Sequence, residues 1–187
     1  WGAMLLDPAD PTKVITRAKE PVFEPDAPYE NDWKPGIAYA CGATVVGDTL
    51  FVYYGSGEMT VSVASAPLVA FVQALLEGEP LSPKKLRPSP ARGIPRVELL
   101  GGNPSKSLFV RSPLNPILAP EGAGFENLAA FNAAAIDLDG SVHILYRAMS
   151  VDHVSTIGYA RSRDGIHIDE RLLEPLYHPR ADFEQKY

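Results

Sequence analysis

The sequence is poor in metal-binding and cross-linking residues. Cys41 is the single cysteine among 187 residues, which excludes an internal disulfide framework and any zinc site that needs several cysteines. The four histidines have no metal-binding spacing such as His-x-x-x-His. We therefore predict no resident metal or cofactor. A lone reduced thiol fits a reducing compartment, so we expect a cytoplasmic location.

A basic surplus and long apolar runs are also missing. The chain has 17 Lys and Arg against 23 Asp and Glu, and its net charge of −6 argues against nucleic-acid binding. The longest apolar stretch, around 67–76, is too short to cross a bilayer. The first residues, 1–4, lack the basic and apolar regions of a secretory signal. Hydrophobic residues still make up 45% of the chain, enough for a globular core.

One short pattern occurs three times along the chain. Each copy has an arginine, then an apolar pair between two prolines, then an aromatic residue followed by glutamate. The copies are Arg17 with 21–25 and Tyr29-Glu30, Arg111 with 116–120 and Phe125-Glu126, and Arg171 with 175–179 and Phe183-Glu184. The last two copies begin their proline-bounded segments 59 residues apart, at Pro116 and Pro175. This spacing is typical of a propeller blade with long loops.

The sequence after each of the first two copies predicts a series of strands. Apolar and β-branched runs flank the two-residue turns Gly47-Asp48 and Asp139-Gly140, which supply the positive φ that tight hairpins need. A third such run follows at 60–64 and at 155–160. With the proline-bounded segment as another extended piece, each unit has about four strands.

The section between the two units has a different composition. Residues 67–77 predict a helix with one apolar side, formed by Leu68, Phe71, Val72, Leu75 and Leu76. The proline-rich, basic stretch that follows is typical of a linker. We therefore predict an all-β fold of propeller blades with one short helix and a linker. Its domains are a blade at 1–66, the helix and linker at 67–107, and a blade at 108–187 with the start of a further blade.

Motifs in both units resemble a known family. Phe131-Asn132-Ala133-Ala134, with 145–148, 155–162 and 164–166, is similar to the first blade of glycoside hydrolase family 130. Residues 2–7, with Tyr29-Glu30, 41–43 and 53–55, are similar to the last blade of that family. The resemblance implies a partial or permuted five-bladed β-propeller. In it, the family's C-terminal part precedes its N-terminal part and the middle blades are absent.

The resemblance also implies a function. The family acts on β-mannosides by inverting phosphorolysis or hydrolysis, with inorganic phosphate as a co-substrate for phosphorolysis. Its general acid is the aspartate of a Glu-Asp-Pro-Arg segment that follows an aromatic–glutamate pair such as Phe183-Glu184. The sequence given ends at Tyr187, so we predict no catalytic residue in it. Two alternatives stay open. One is an enzyme whose ring is completed by other chains, as in a homo-oligomer, or by further sequence; the other is a non-catalytic carbohydrate-binding or oligomerising module.

Four residues are predicted to bind the sugar. The resemblance implies that Asn132 and Arg147 contact the mannosyl unit, since an amide offers a donor and acceptors and a guanidinium offers a fixed fork of donors. Ser155 could bond a hydroxyl, and Glu58 stands where the family usually has aspartate. Structural alternatives remain for each: a turn residue at Asn132, a salt bridge at Arg147, a strand start at Ser155 and too long a side chain at Glu58.

Overall fold

The computed structural model describes residues 1–78, 85–89, 96–100 and 108–184. Nearly all of its regular structure is β, with a single α-helix in the described part, as predicted. The elements are β1 (Met4–Leu6), β2 (Val14–Arg17), a 3₁₀ turn (Pro28–Glu30), β3 (Ala38–Val46), β4 (Thr49–Ser56), β5 (Thr60–Pro67), α1 (Leu68–Glu77), β6 (Lys85–Ser89), β7 (Arg96–Leu100), β8 (Val110–Arg111), β9 (Ala129–Leu138), β10 (Ser141–Met149), β11 (Ser155–Ser162) and β12 (Glu170–Arg171).

Two four-stranded antiparallel sheets dominate the fold. The first blade has the strand order β3-β4-β5-β8, and the second blade has the order β9-β10-β11-β12. Strands β6 and β7 form a separate two-stranded sheet. In the second blade successive strands are neighbours, which is the meander of a propeller blade. The first blade has the same order, but α1, β6 and β7 lie between its third and fourth strands along the chain. The predicted all-β fold of propeller-type units is therefore confirmed.

The fourth strand of each blade carries the repeated arginine. It is paired at Ala64↔Arg111 in the first blade and at Ala160↔Arg171 in the second. The proline-bounded segments that follow make only isolated bridges, so assigning the fourth strand to them was wrong. Proline donates no backbone N–H, which limits its use in a ladder. Strand β8 also lies beyond the linker that we predicted at 67–107, although that division into domains stays a prediction.

Strands β1 and β2 form half of another blade. They pair at Met4↔Arg17, which matches the pairing of the repeated arginine in the two complete blades. The backbone N–H of Val22 donates to the Trp1 carbonyl, just as the N–H of Leu176 donates to the Ile157 carbonyl in the second blade. The half-blade, as we call β1 and β2, therefore corresponds to the outer two strands of a blade.

Two apolar cores hold these units together. One lies between the two blades, with Phe51, Tyr53 and Val63 of the first facing Ile144 and Ala160 of the second. The other lies between the first blade, the half-blade and α1, and includes Val22, Phe23, Phe71, Leu75 and Phe109.

Helix α1 confirms the helix that the sequence predicts. On its apolar side Phe71 and Leu75 are buried, whereas Leu76 is 56% exposed. Gly78 ends the helix at a φ of 70°, a left-handed conformation that glycine adopts without steric cost. In the part of the chain that the structure describes, no helix is long and apolar enough to span a bilayer.

A cluster of three side chains, Glu30, Tyr54 and Arg111, joins separate segments of the first blade. The carboxylate of Glu30, fully buried, accepts the hydroxyl of Tyr54 at 2.7 Å and two N–H groups of Arg111 at 2.8 and 2.9 Å. Burial alone would lower the pKa of Arg111, but the hydrogen bonds and charge of Glu30 outweigh it and the pKa is raised. This cluster joins the segment that enters the blade to its second and fourth strands.

The second blade repeats the cluster. Glu126 accepts the Tyr146 hydroxyl at 2.7 Å and an N–H of Arg171 at 2.9 Å. Burial and the hydrogen bond to Glu126 raise the pKa of Tyr146, so the hydroxyl stays a donor. In both blades the glutamate of one copy of the sequence pattern contacts the arginine of the next copy. This contact explains why the two residues recur together.

Candidate functional site

An open cavity of about 550 Å³ lies where the inner strands of the two blades meet. Three of the four predicted sugar-binding residues line it: Glu58, Asn132 and Arg147. The fourth, Ser155, contacts Arg147 from the neighbouring strand. Gly36, Ile37, Ala38, Tyr39 and Phe131 complete the lining.

Asn132 reaches the cavity because strand β9 is irregular there. The register moves by one residue between Leu145↔Ala134 and Arg147↔Phe131, which is a β-bulge. Asn132 has a φ of 53°, a left-handed conformation that asparagine tolerates better than most residues. The bulge leaves Asn132 exposed on the cavity wall, while the next residue is buried between the blades.

Arg147 is held in place from two sides. Its Nε and Nη2 both donate to the Ser155 hydroxyl oxygen, at 2.9 and 2.8 Å. Its guanidinium lies 5.0 Å from the centre of the Phe131 ring, within cation–π range. Guanidinium has five N–H donors, so several remain for a ligand in the cavity. The predicted alternative for Arg147, a salt bridge across a blade, has no counterpart among the described residues.

Glu58 lies on the turn between β4 and β5, at the rim of the cavity. Its φ is 62°, and the carboxylate forms an ion pair with the ammonium group of Lys34. The turn is joined to the second blade, because the backbone N–H of Ala130 donates to the Met59 carbonyl at 3.0 Å. This bond holds Glu58 close to strand β9 and hence to Asn132.

Sequence reasoning missed several residues of the site. Tyr39, at the start of strand β3, is 66% exposed and lines the cavity. Lys34 forms the ion pair with Glu58. The ring of Phe131 packs against the guanidinium of Arg147. Phe131 was visible beside Asn132 in the family motif, but no sequence pattern linked Lys34 or Tyr39 to the site.

Cys41 lies beside the cavity, and its thiol points at the Asn132 amide oxygen, at 3.7 Å. Burial raises the pKa of the thiol, so less of it is thiolate at any given pH. We expect Cys41 to react with iodoacetamide at pH 8 at least about tenfold more slowly than in concentrated urea. Mass spectrometry of timed samples measures both rates, and equal rates would contradict the partly buried position of the thiol.

The described residues contain no cluster of histidine, cysteine, aspartate and glutamate that could hold a metal ion. His143 shares a hydrogen bond of 2.8 Å with the hydroxyl of Tyr159 on the adjacent strand. Asp139 and Gly140 occupy a hairpin turn with φ values of 51° and 73°, as their sequence indicates.

The strand order of the two four-stranded sheets defines units of the β-propeller type. The model of glycoside hydrolase family 130, described as beta-1,4-mannooligosaccharide phosphorylase, matches residues 1–77. This match confirms the predicted resemblance to the family over these residues. The comparisons do not test the predicted order of the family's first and last blades, which stays a prediction.

The curated relatives that match this chain are phosphorylases of mannose-containing sugars. A 1,2-beta-oligomannan phosphorylase of Thermoanaerobacter sp. (strain X514) is 45% identical over 64 residues, 34% of this chain and 22% of the relative. A beta-1,2-mannobiose phosphorylase of Listeria innocua serovar 6a is 47% identical over 62 residues, 33% of this chain and 18% of the relative. The matches therefore span about a fifth of the length of these relatives.

Solved structures that match this chain are less similar to it in sequence than the curated relatives are. A GH43 β-xylosidase/α-arabinofuranosidase from a compost microbial metagenome has a TM-score of 0.47 at 11% identity, over 75% of this chain and 36% of that chain. A structure from the GH130 family of mannoside phosphorylases has a TM-score of 0.35 at 14% identity, over 89% of this chain and 60% of that chain.

Proposed function

We propose that this chain forms part of the sugar site of a β-mannoside phosphorylase or glycosidase. The observation that carries the proposal is the convergence of Glu58, Asn132 and Arg147 on one open cavity. The match of residues 1–77 to the family model supports a β-mannoside as the ligand. We assign no catalytic residue. The activity is inverting phosphorolysis, with inorganic phosphate as co-substrate, or hydrolysis, and it requires a completed ring.

The roles of the four residues follow from their chemistry. Arg147 donates from its unused N–H groups to neighbouring hydroxyls of the mannosyl ring, and Ser155 keeps its guanidinium in position. Asn132 supplies a donor and an acceptor beside it. Glu58 accepts from a hydroxyl after its ion pair with Lys34 opens or shifts. The exposed ring of Tyr39 offers an apolar surface for one face of the sugar.

Arg147→Ala should weaken mannobiose binding at least tenfold, because several donors in the cavity are lost together. Isothermal titration calorimetry or ligand-observed NMR measures the Kd. Arg163→Ala is a matched control, since Arg163 is exposed and pairs with Asp169 away from the cavity. Equal loss in both variants, or no mannobiose binding by the unaltered chain at high ligand concentration, would contradict the site.

A second candidate function is a non-catalytic carbohydrate-binding or oligomerising module. It is favoured by the open cavity, whose wall within the described residues comes from two blades only. Phosphate-dependent release of mannose 1-phosphate from mannobiose by the purified chain would eliminate this candidate. Sugar binding without such release would support it. A homo-oligomer and a cytoplasmic location belong to the same proposal.

A further inference from the structure

Two exposed aromatic residues lie close to the cavity. Tyr39 is 66% exposed and lines it, whereas Trp33 is 65% exposed and lies outside the lining. No aromatic ring among the described residues stacks on Trp33. A single exposed apolar side chain is ordinary on a protein surface, but two large aromatic side chains beside one cavity mark a candidate binding surface.

The loop that carries Trp33 is fixed at its base. The side-chain oxygen of Asn31 accepts the backbone N–H of Gly36 at 2.8 Å, which closes the loop around Trp33. The backbone N–H of Gly57 donates to the Ile37 carbonyl at 3.1 Å and so joins the loop to the turn between β4 and β5. Because Gly36 and Ile37 both line the cavity, the loop continues the cavity wall outward to Trp33.

Trp33 itself lies against the same turn. A Cβ added to Gly57 would lie 3.7 Å from the Trp33 backbone nitrogen and 3.9 Å from the Trp33 Cβ. Glu58, the next residue of the turn, lines the cavity and forms its ion pair with Lys34, the residue after Trp33. Trp33 therefore lies next to both members of the ion pair at the cavity rim.

We propose that Trp33 is a stacking surface for a further sugar unit of a β-mannoside oligosaccharide, beyond the units that the cavity holds. The inference rests on the proposed sugar site, because such a ligand reaches Trp33 by extending out of the cavity. A sugar ring presents C–H groups that pack on an aromatic face, while its hydroxyls remain in water or bond to polar groups nearby. Since the loop is fixed before the ligand arrives, little ordering cost offsets this contact.

Ligands of two lengths test the inference. We would measure the Kd of methyl β-mannoside and of a β-linked mannotriose by isothermal titration calorimetry. The unaltered chain should bind mannotriose at least about fivefold more tightly than the single-unit ligand, as one added aromatic contact provides. Trp33→Ala should remove this gain and leave the Kd of methyl β-mannoside unchanged. Phe183→Ala is the matched control, because Phe183 is also exposed but does not line the cavity.

Tryptophan fluorescence gives a second readout on the unaltered chain. The sequence has two tryptophans, and Trp1 stacks on Phe23 with ring centres 4.0 Å apart. Mannotriose should protect the exposed Trp33 from quenching by acrylamide, whereas methyl β-mannoside should not. Trp33→Phe leaves Trp1 as the only tryptophan, and mannotriose should leave its quenching unchanged.

The outcomes separate this inference from the sugar site on which it rests. Equal affinity of the unaltered chain for both ligands, or a mannotriose gain that survives in Trp33→Ala, would overturn the stacking role and leave the cavity site standing. The same loss in Phe183→Ala, or protection from quenching that persists in Trp33→Phe, would overturn it too. Absence of binding by either ligand would contradict the proposed sugar site, and the inference with it.

Discussion

Glu30→Ala should destabilise the chain by about 3 kcal/mol, the largest effect that we expect from a single substitution. The substitution removes the acceptor for Tyr54 and for two N–H groups of Arg111 in a fully buried position. Arg111 keeps Asp26 as a partner at 2.8 Å, which limits the loss to the lower end of the range for broken buried pairs. Urea unfolding followed by circular dichroism measures the change.

Glu184→Ala is the matched control for Glu30→Ala. Glu184 has the same place in the repeat and the same two backbone donors, but it lies at the surface without an arginine partner among the described residues. Its unfolding midpoint should stay close to that of the unaltered chain. Equal destabilisation by the two substitutions would show that the buried cluster contributes nothing beyond the local turn.

Gly42→Ala should cost at least about 2 kcal/mol, because the two blades touch backbone to backbone at this point. A Cβ on Gly42 would lie 2.7 Å from the Ala133 carbonyl oxygen and 2.8 Å from the Ala135 nitrogen. Both atoms belong to strand β9, which cannot retreat without disturbing the core between the blades. The same urea experiment measures this loss.

Gly124→Ala provides the comparison for Gly42→Ala. Gly124 is exposed, and a Cβ there would meet no atom within 4 Å. Its unfolding free energy should change by less than about 0.5 kcal/mol. If Gly42→Ala were equally mild, the inner strands of the two blades would not be in direct contact.

The sequence predicted the hairpins of this fold better than the fourth strand at the edge of each blade. Alternating apolar runs around Gly47-Asp48 and Asp139-Gly140 located β3, β4, β9 and β10, because tight turns have strong local signals. The fourth strands were missed, since β8 and β12 have two residues each and no periodicity of their own. Pairing with a neighbouring strand, rather than local preference, makes those residues extended.

The candidate site was predicted through a family motif rather than through local chemistry. Asn132 and Arg147 stand out because neighbouring residues resemble a family motif, and the structure brings them to one cavity with Glu58. Lys34 and Tyr39 come from a separate part of the chain and reach the cavity only through folding of the first blade. No spacing rule in one sequence connects residues that are joined by such long-range packing.

The position of β8 has a consequence for the order in which the chain folds during synthesis. The first blade ends its third strand at Pro67, but its fourth strand begins only at Val110. Until Arg111 has left the ribosome, Glu30 and Tyr54 lack their cationic partner. We therefore expect the N-terminal section to remain incompletely structured through about 40 residues of translation beyond Pro67, a period in which a nascent chain is open to aggregation and to chaperone binding.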